Sequence, residues 1–418
     1  MSKPLLVFQG PVATRSGYGD HSRDLLKSLF DMDKFDIKII PTRWGSTPQN
    51  QLDETSDLGQ KILSNIIVQL TQQPDVFVQV SVANEFQKLG KYNVGVTAGV
   101  ETTIAPKEFI DGCNQMDLIL VPSDFTKQVL EKTSFVETDR KTRQKIRDIQ
   151  VQVPIEVLFE GVDTSIFKSV KTDFLKDVDT DFNFLYVGHW LGGEVGHDRK
   201  DTGMMIKTFC TVFKNLPKGK QPGLILKTSH AGFSVGEREE IANRINAITK
   251  EFGDKCPPIY LAWGDLLESE LNELYNDTKV KAMVSFTKGE GYGRPLAEFA
   301  TTGKPIIVSK WSGLCDFLPQ VNTIYLEGDL KNVHESAQNQ FLLKESKWFY
   351  VDYTKAAQVI FDVHKNYDSY LKKSKGLSDN INNRFSLTKM TEVFKGIFDR
   401  YVKIQQKVEL VLPQIKKL

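Results

Sequence analysis

Lys281-Ala-Met-Val-Ser-Phe-Thr-Lys-Gly-Glu-Gly-Tyr-Gly-Arg-Pro-Leu-Ala-Glu298 is the stretch from which the fold can be read. Residues 281–286 are largely apolar and make a buried strand. A loop with Gly289, Gly291 and Gly293 follows. Pro295 suits the first position of a helix, where its missing N–H costs nothing, and Glu298 then falls on that helix's first turn. Gly303 stops the helix and Pro305 opens the next strand. A glycine loop feeding a helix N-terminus offers bare N–H groups and the positive end of the helix dipole, a ready anion site. Glu290 in the loop and Glu298 on the helix can reach different parts of one ligand as hydroxyl acceptors.

The same rhythm extends outward in both directions. Strands are expected at residues 5–8, 35–40, 75–80, 93–97, 118–121 and 155–159, with helices at 20–30 and 58–72. Residues 137–148 are polar and basic and read as a solvated helix or loop. A polar stretch, 168–181, interrupts the pattern, which restarts with strands at 182–187, 224–227, 259–262, 281–286 and 306–309 and a helix at 202–213. The tail, 353–411, is mostly helical in period. Strands spaced by helices require crossover connections and a parallel sheet. The expectation is therefore two doubly wound α/β halves, 1–167 and 168–385, meeting near residue 168.

Composition narrows the function. The chain has 418 residues, 40% hydrophobic and 26% charged, enough for packed cores and two domains. Lys plus Arg is 54 against 53 Asp plus Glu, so no global field draws the chain to nucleic acid or an anionic membrane. Residues 1–171 carry 20 basic against 22 acidic side chains, which favours a merely solvated face for the basic run 140–147. The cysteines, Cys113, Cys210, Cys256 and Cys315, are too dispersed in sequence for a zinc pair or a disulfide framework. The N-terminal apolar run is too short for a secretory segment, and no run approaches the ~20 residues of a membrane span, so a cytoplasmic location is expected. Asp179-Thr-Asp181 spells a metal-type D-x-D but lies in the polar linker, where a turn is the simpler reading. The six histidines show no metal spacing, and no metal or other cofactor is expected.

Glu290-Gly-Tyr-Gly-Arg-Pro-Leu-Ala-Glu298 resembles the E-x7-E signature of retaining glycosyltransferases of family four, which have the GT-B fold: two Rossmann-like domains facing a central cleft. The resemblance implies that Glu290 and the backbone of Gly291, Tyr292, Gly293 and Arg294 face a donor sugar, and that Glu298 holds ribose hydroxyls. Phe184-Leu-Tyr-Val-Gly188 followed by Arg199-Lys200 is similar to the strand, glycine loop and basic pair that hold the donor diphosphate. A guanidinium and an ammonium there stabilise the leaving diphosphate as its charge develops. Ser16-Gly17-Tyr18-Gly19 resembles the glycine loop that approaches the diphosphate from the first domain, with His21 beyond it read as a surface residue. Asn93-Val-Gly-Val-Thr-Ala-Gly-Val-Glu101 resembles the segment that often brings a His or acidic residue to the reacting sugar; here Glu101 fills that position. Val157-Leu-Phe-Glu-Gly-Val-Asp163 is similar to the turn at the domain junction, and the loop at Trp263, Gly264 and Asp265 to the wall of the base pocket.

The implied activity is transfer of a hexose or pentose from a nucleoside-diphosphate sugar with retention and without metal. The departing phosphate oxygen would take the acceptor proton on the same face. The acceptor stays open: a glycan, a lipid-linked sugar or a modified base. The opening phrase Gln9-Gly-Pro-Val-Ala-Thr-Arg-Ser-Gly-Tyr-Gly19 loosely resembles glycosyltransferase-like proteins of tailed phages, for which a hydroxymethylated DNA base is the alternative acceptor. A sugar-nucleotide-binding protein without activity is a further alternative. The resemblance also implies that helices in 386–418 cross back to the first domain, starting from a cap at Ser386.

Overall fold

The computed structural model describes residues 3–190, 194–230, 232 and 234–403. Its first sheet is built from β1 (Leu5–Gly10), β2 (Asp36–Pro41), β3 (Val76–Val80), β4 (Tyr92–Val96), β5 (Leu118–Val121) and β8 (Ile155–Val157). The order is β2-β1-β3-β4-β5-β8 and every pairing is parallel. The inner strands β1, β3, β4 and β5 are buried on both faces and read as apolar runs, whereas the edge strand β2 alternates. On one face α1 (Gly17–Met32), α2 (Asp57–Ser64) and α12 (Leu387–Tyr401) contribute to a core around Phe8, Leu26, Val78 and Phe394. On the other, α3 (Lys107–Cys113) and α4 (Asp124–Lys132) pack around Phe109, Ile119 and Leu130.

The second sheet uses β9 (Asn183–Val187), β10 (Gly223–Lys227), β11 (Ile259–Leu261), β12 (Val280–Ser285), β13 (Ile306–Ser309) and β14 (Ile324–Leu326), in the order β11-β10-β9-β12-β13-β14, again all parallel. Helices α5 (Thr202–Phe213), α6 (Val235–Thr249) and α9 (Tyr353–Lys365) cover one face. The other carries α7 (Glu268–Asn276), α8 (Arg294–Ala300) and α11 (Gly376–Asn380). Helix α10 (Tyr367–Ser374) continues from α9. Leu175 and Val178 of the linker pack into this second half, and Asp179 and Asp181 stay exposed at a turn before β9. Strand order reverses between β9 and β12, so the loops after these two strands diverge and leave a crevice, where ligands of such sheets bind.

Three expectations change. Residues 137–148 belong neither to a helix nor to a loop but to an antiparallel hairpin, β6 (Phe135–Thr138) with β7 (Lys145–Ile149). Its inner residues Phe135 and Ile149 reach the core, while the charged ones face water, so the charged run held no strand alternation to read. The helix expected at 58–72 stops at Ser64, because Ile66, in a β-branched pair with Ile67, bridges to Ile39 beside β2. Glu298 is the fifth residue of α8, since Gly293 caps the helix and Arg294 opens it. A second hairpin, β15 (Gly328–Asn332) and β16 (Lys347–Val351), is inserted before α9.

Ser386 caps α12, its side chain accepting from the Lys389 N–H. The Leu387 N–H donates to the Val162 carbonyl at 2.8 Å, and Val162 N–H to the Phe385 carbonyl at 2.9 Å. Here Gly161 is required: a Cβ on it would come within 2.5 Å of the Leu387 Cα. Leu387, Met390, Phe394, Ile397 and Phe398 then bury into the first half. Residues 404–418 of the expected crossing segment lie outside the described residues.

Candidate active site

The loops on either side of the reversal in the second sheet carry the charged residues of the site. Arg199 and Lys200 end the loop after β9, and Glu290 lies in the loop after β12. Arg199 Nη1 is 3.1 Å from Glu290 Oε2 and also donates to the Gly289 carbonyl at 2.9 Å. Lys200 Nζ is 2.5 Å from Glu290 Oε1. Burial pushes the Glu290 carboxyl up, yet Lys200 and Arg199 outweigh it and hold it at about 2. Burial lowers Lys200, opposed by Glu290. Burial also acts to lower Arg199, but Glu101 and Glu290 raise it above its ordinary value.

A buried ion pair locks these loops to each other. Lys288 and Asp201 are both fully buried, 2.9 Å apart, and Tyr353 donates to Asp201 at 2.6 Å. Lys288 N–H also donates to the Arg199 carbonyl and Lys288 Nζ to that of Asp198. Removing one partner of such a pair strands a buried charge and costs about 3–5 kcal/mol. Glu290 is set from its other side by its own N–H, which donates to Ser312 Oγ at 2.9 Å. Ser312 adopts φ +74°, a strained choice for a residue with a Cβ.

The glycine loop is also where the two halves touch. A Cβ on Gly289 would sit 2.5 Å from the Glu101 carbonyl, and one on Gly291 would sit 2.7 Å from the Ala98 carbonyl. Ser123 Oγ donates to the Gly291 carbonyl at 2.6 Å. Glu101, on the loop after β4, reaches across to Arg199 at 3.1 Å. Arg199 thus stands between a carboxylate from each half. Tyr292 points away from the crevice, buried with its ring 4.7 Å from Phe317, so only its backbone is available to a ligand.

Arg294 makes a second crossing. It pairs with Asp24 of α1 at 2.6 Å and with Glu298 at 3.0 Å. Burial pushes Glu298 up to about 8 despite Arg294, with Asp20 and Glu268 adding to the rise. A 3.0 Å contact suggests an ion pair and the raised pKa suggests a neutral acid. We favour the neutral acid: Arg294 also faces Asp24, Asp20 and Glu160, and Asp24 holds it at shorter range. Burial likewise lifts Glu160, in the turn after β8, to about 7.

Gly17, Tyr18 and Gly19 open α1, with Ser16 Oγ accepting from the Gly19 N–H at 3.1 Å. A Cβ on Gly19 would meet the Thr14 carbonyl at 2.3 Å, whereas Gly17 faces open space. Tyr18 stacks on Trp44 with ring centroids 3.9 Å apart, and its hydroxyl accepts from the Ala98 N–H. A cavity of about 20 Å³ lies between Tyr18, His21, Thr97 and Glu160. His21 is not the surface residue expected: it is 6% exposed, Nδ1 has no hydrogen-bond partner, and burial holds it near 3. Gly188 follows β9, its N–H donating to the Lys227 carbonyl. Gly264 adopts φ +105° and accepts from Lys227 Nζ, and its neighbour Asp265 pairs with Arg15 of the first half at 3.1 Å. Gly188 thus opens the loop that ends in Arg199 and Lys200, and Gly264 lies on the loop after β11, two strands away in the sheet.

Sequence reading missed Ser312, Asp24, Glu160, Asp201 and Lys288. Lys288 stood inside the decisive motif, but nothing in sequence told a buried lysine from a solvated one. Larger surface depressions, of about 460 Å³ beside Lys3 and Asp33 and about 390 Å³ beside Lys207 and Lys255, lie away from these loops. Topology and charge, not volume, define the site.

No protein-family model matches the sequence, and no curated protein matches it. Solved structures do. A glycosyltransferase from Rickettsia africae superposes with a TM-score of 0.61 at 13% identity, over 97% of this chain and 100% of that one. Sucrose-phosphate synthase from Thermosynechococcus elongatus gives 0.61 at 13%, over 95% and 99%. Anabaena HepE in complex with UDP-glucose gives 0.59 at 11%, over 95% and 100%. At such identities the likeness is one of fold: this chain has the GT-B architecture, two Rossmann-like halves facing a central cleft.

Proposed function

We propose that the chain is a glycosyltransferase that moves a sugar from a nucleoside-diphosphate donor to an acceptor, with retention at the anomeric carbon. The observation that carries the reading is the Arg199–Lys200 pair, held against Glu290 where the second sheet reverses order, with Glu101 reaching in from the other half. A donor diphosphate has the charge to replace those carboxylates. On binding, Arg199 and Lys200 exchange Glu290 for phosphate oxygens, and Glu290 is freed to accept from sugar hydroxyls. As the glycosidic C–O bond breaks, negative charge grows on the leaving phosphate, where the two fixed cations stabilise it. That phosphate oxygen then takes the acceptor's proton on the face it leaves, and the new bond keeps the donor's configuration. Glu298, beyond the first turn of α8, accepts from ribose.

The cations already present supply the charge that a divalent ion supplies elsewhere, so the proposed chemistry needs no metal. HepE bound to UDP-glucose makes uridine diphosphate sugars the first donors to try. The test is incubation with UDP-glucose in excess chelator, with the anomer followed by proton NMR. Transfer or slow hydrolysis that first releases the α-anomer supports the reading; first release of the β-anomer refutes retention. A panel of nucleoside diphosphate sugars that is neither bound nor turned over refutes the donor assignment.

A further inference from the structure

We infer that Glu194, His197 and His334 form a binding site for a zinc-class divalent cation, separate from the transfer chemistry. The histidines are far apart in sequence, which is why their spacing revealed nothing, yet the fold stacks their rings with centroids 3.6 Å apart and 14° between planes. One ligand atom from each of the three residues lies within 4.8 Å of the others. His197 and Glu194 belong to one turn: the His197 N–H donates to the Glu194 carbonyl at 2.9 Å, and Gly196 takes φ +88° to close it. His334 arrives from the excursion between β15 and β16.

One nitrogen of the cluster is left unsatisfied. His197 Nδ1 is buried and has no hydrogen-bond partner. A buried polar atom of that kind is costly unless something satisfies it. His334 Nδ1 lies 2.8 Å from Ser336 Oγ. The Ser336 backbone N–H donates to that same Nδ1 at 3.3 Å, so both contacts pin the ring from one side.

Two imidazoles and a carboxylate are a zinc donor set, with a fourth position left for water. Zinc–nitrogen bonds of about 2.0–2.1 Å in a tetrahedron set the two nitrogens roughly 3.3 Å apart. Coordination needs one ring to rotate out of the parallel stack so that the two lone pairs converge. The bound ion would tie the turn before Arg199 to the β15–β16 excursion, whose strand end Lys347 exchanges hydrogen bonds with Thr103 of the first half.

The test uses untagged full-length protein, stripped with chelator and desalted, then titrated with Zn²⁺ and separately with Co²⁺. Wild type should bind one equivalent, melt higher with Zn²⁺, and give the visible absorption of four-coordinate Co²⁺. His334→Ala and Glu194→Gln should each weaken Zn²⁺ at least tenfold while melting as wild type does in chelator. The inference is overturned if wild type takes up no stoichiometric Zn²⁺. It is equally overturned if His334→Ala, with its chelator melting unchanged, binds as tightly as wild type. If His334→Ala fails to fold, Glu194→Gln decides by the same criterion. These readouts involve no donor or turnover, so they stand apart from the transferase reading.

Discussion

Lys200 donates to Glu290 from a mostly buried position, 16% exposed, so its charge is only partly screened from whatever replaces that carboxylate. Lys200→Ala should lower kcat by about 10²–10³, the usual cost of one charge-stabilising donor, with little change in melting temperature. Steady-state kinetics beside a thermal melt would check this; unchanged kinetics would remove the diphosphate assignment. Glu298 makes a different prediction. Its carboxyl is pushed to about 8 in the folded chain from an ordinary value near 4.5. Below pH 4.5 both states hold the proton. Between 4.5 and 8 only the folded state holds it, so stability is lost as pH rises through this window. Glu298→Gln should flatten the fall in melting temperature between pH 5 and 8 while weakening donor binding. A variant whose melting curve falls as steeply as wild type's would contradict it. Of the residues so placed, Glu290, Arg199 and Lys200 were legible because motif and loop stand next to strands that are plain in sequence. Asp24 and Glu160 were not: they come to Arg294 only through the docking of two halves.

Helix α12 shows what an element contributes beyond its own sequence. Its period and the Ser386 cap were readable, but where it packs was not a property of its pattern, which any second-half surface could also have satisfied. The contacts of Leu387 with Val162 and of Ser28 Oγ with Thr391 Oγ1, at 2.7 Å, fix it on the first half. Five buried apolar side chains at about 2 kcal/mol each amount to on the order of 10 kcal/mol. That equals the whole net stability of a typical domain, about 5–15 kcal/mol. Truncation after Asn383 should therefore unfold the first half and abolish activity, which limited proteolysis and circular dichroism would reveal. Retained stability and activity would mean that the helix is dispensable. The hairpin β6–β7 failed in the opposite sense. Arg140, Lys141, Arg143, Lys145 and Arg147 dominate its sequence, whereas its strand pairing rests on the inward Phe135 and Ile149. Only β6 alternates; Lys145–Asp148 of β7 are all exposed, so the charged run held no two-residue period to read.

At the scale of the whole molecule, three pairs bridge the halves across the cleft, Glu101 with Arg199, Asp24 with Arg294, and Arg15 with Asp265, and three of their members, Glu101, Arg199 and Arg294, belong to the proposed donor site. The cleft therefore neutralises itself, and a diphosphate has to displace carboxylates from the cations it needs. Arg199 is the sharpest case, because Glu101 and Glu290 approach the same Nη1 atom from opposite halves, each at 3.1 Å. Glu290 is also tied to Lys200, so Glu101 is the partner that can be removed with less disturbance. Glu101→Gln keeps the shape and a hydrogen-bond acceptor but deletes the competing charge. Loss of one competing charge at a partly exposed pair is worth about 1 kcal/mol or less. The affinity for a nucleoside diphosphate should therefore rise, by up to roughly fivefold. Sugar transfer should fall at the same time, because Glu101 is the residue proposed to face the reacting sugar from the first half. Calorimetry with UDP and a transfer assay on the same variant separate the two effects. Tighter UDP with slower transfer is the expected pair. Weaker UDP would mean that Glu101 orients Arg199 for phosphate instead of competing with it, and the self-neutralised cleft would be the wrong description of this site.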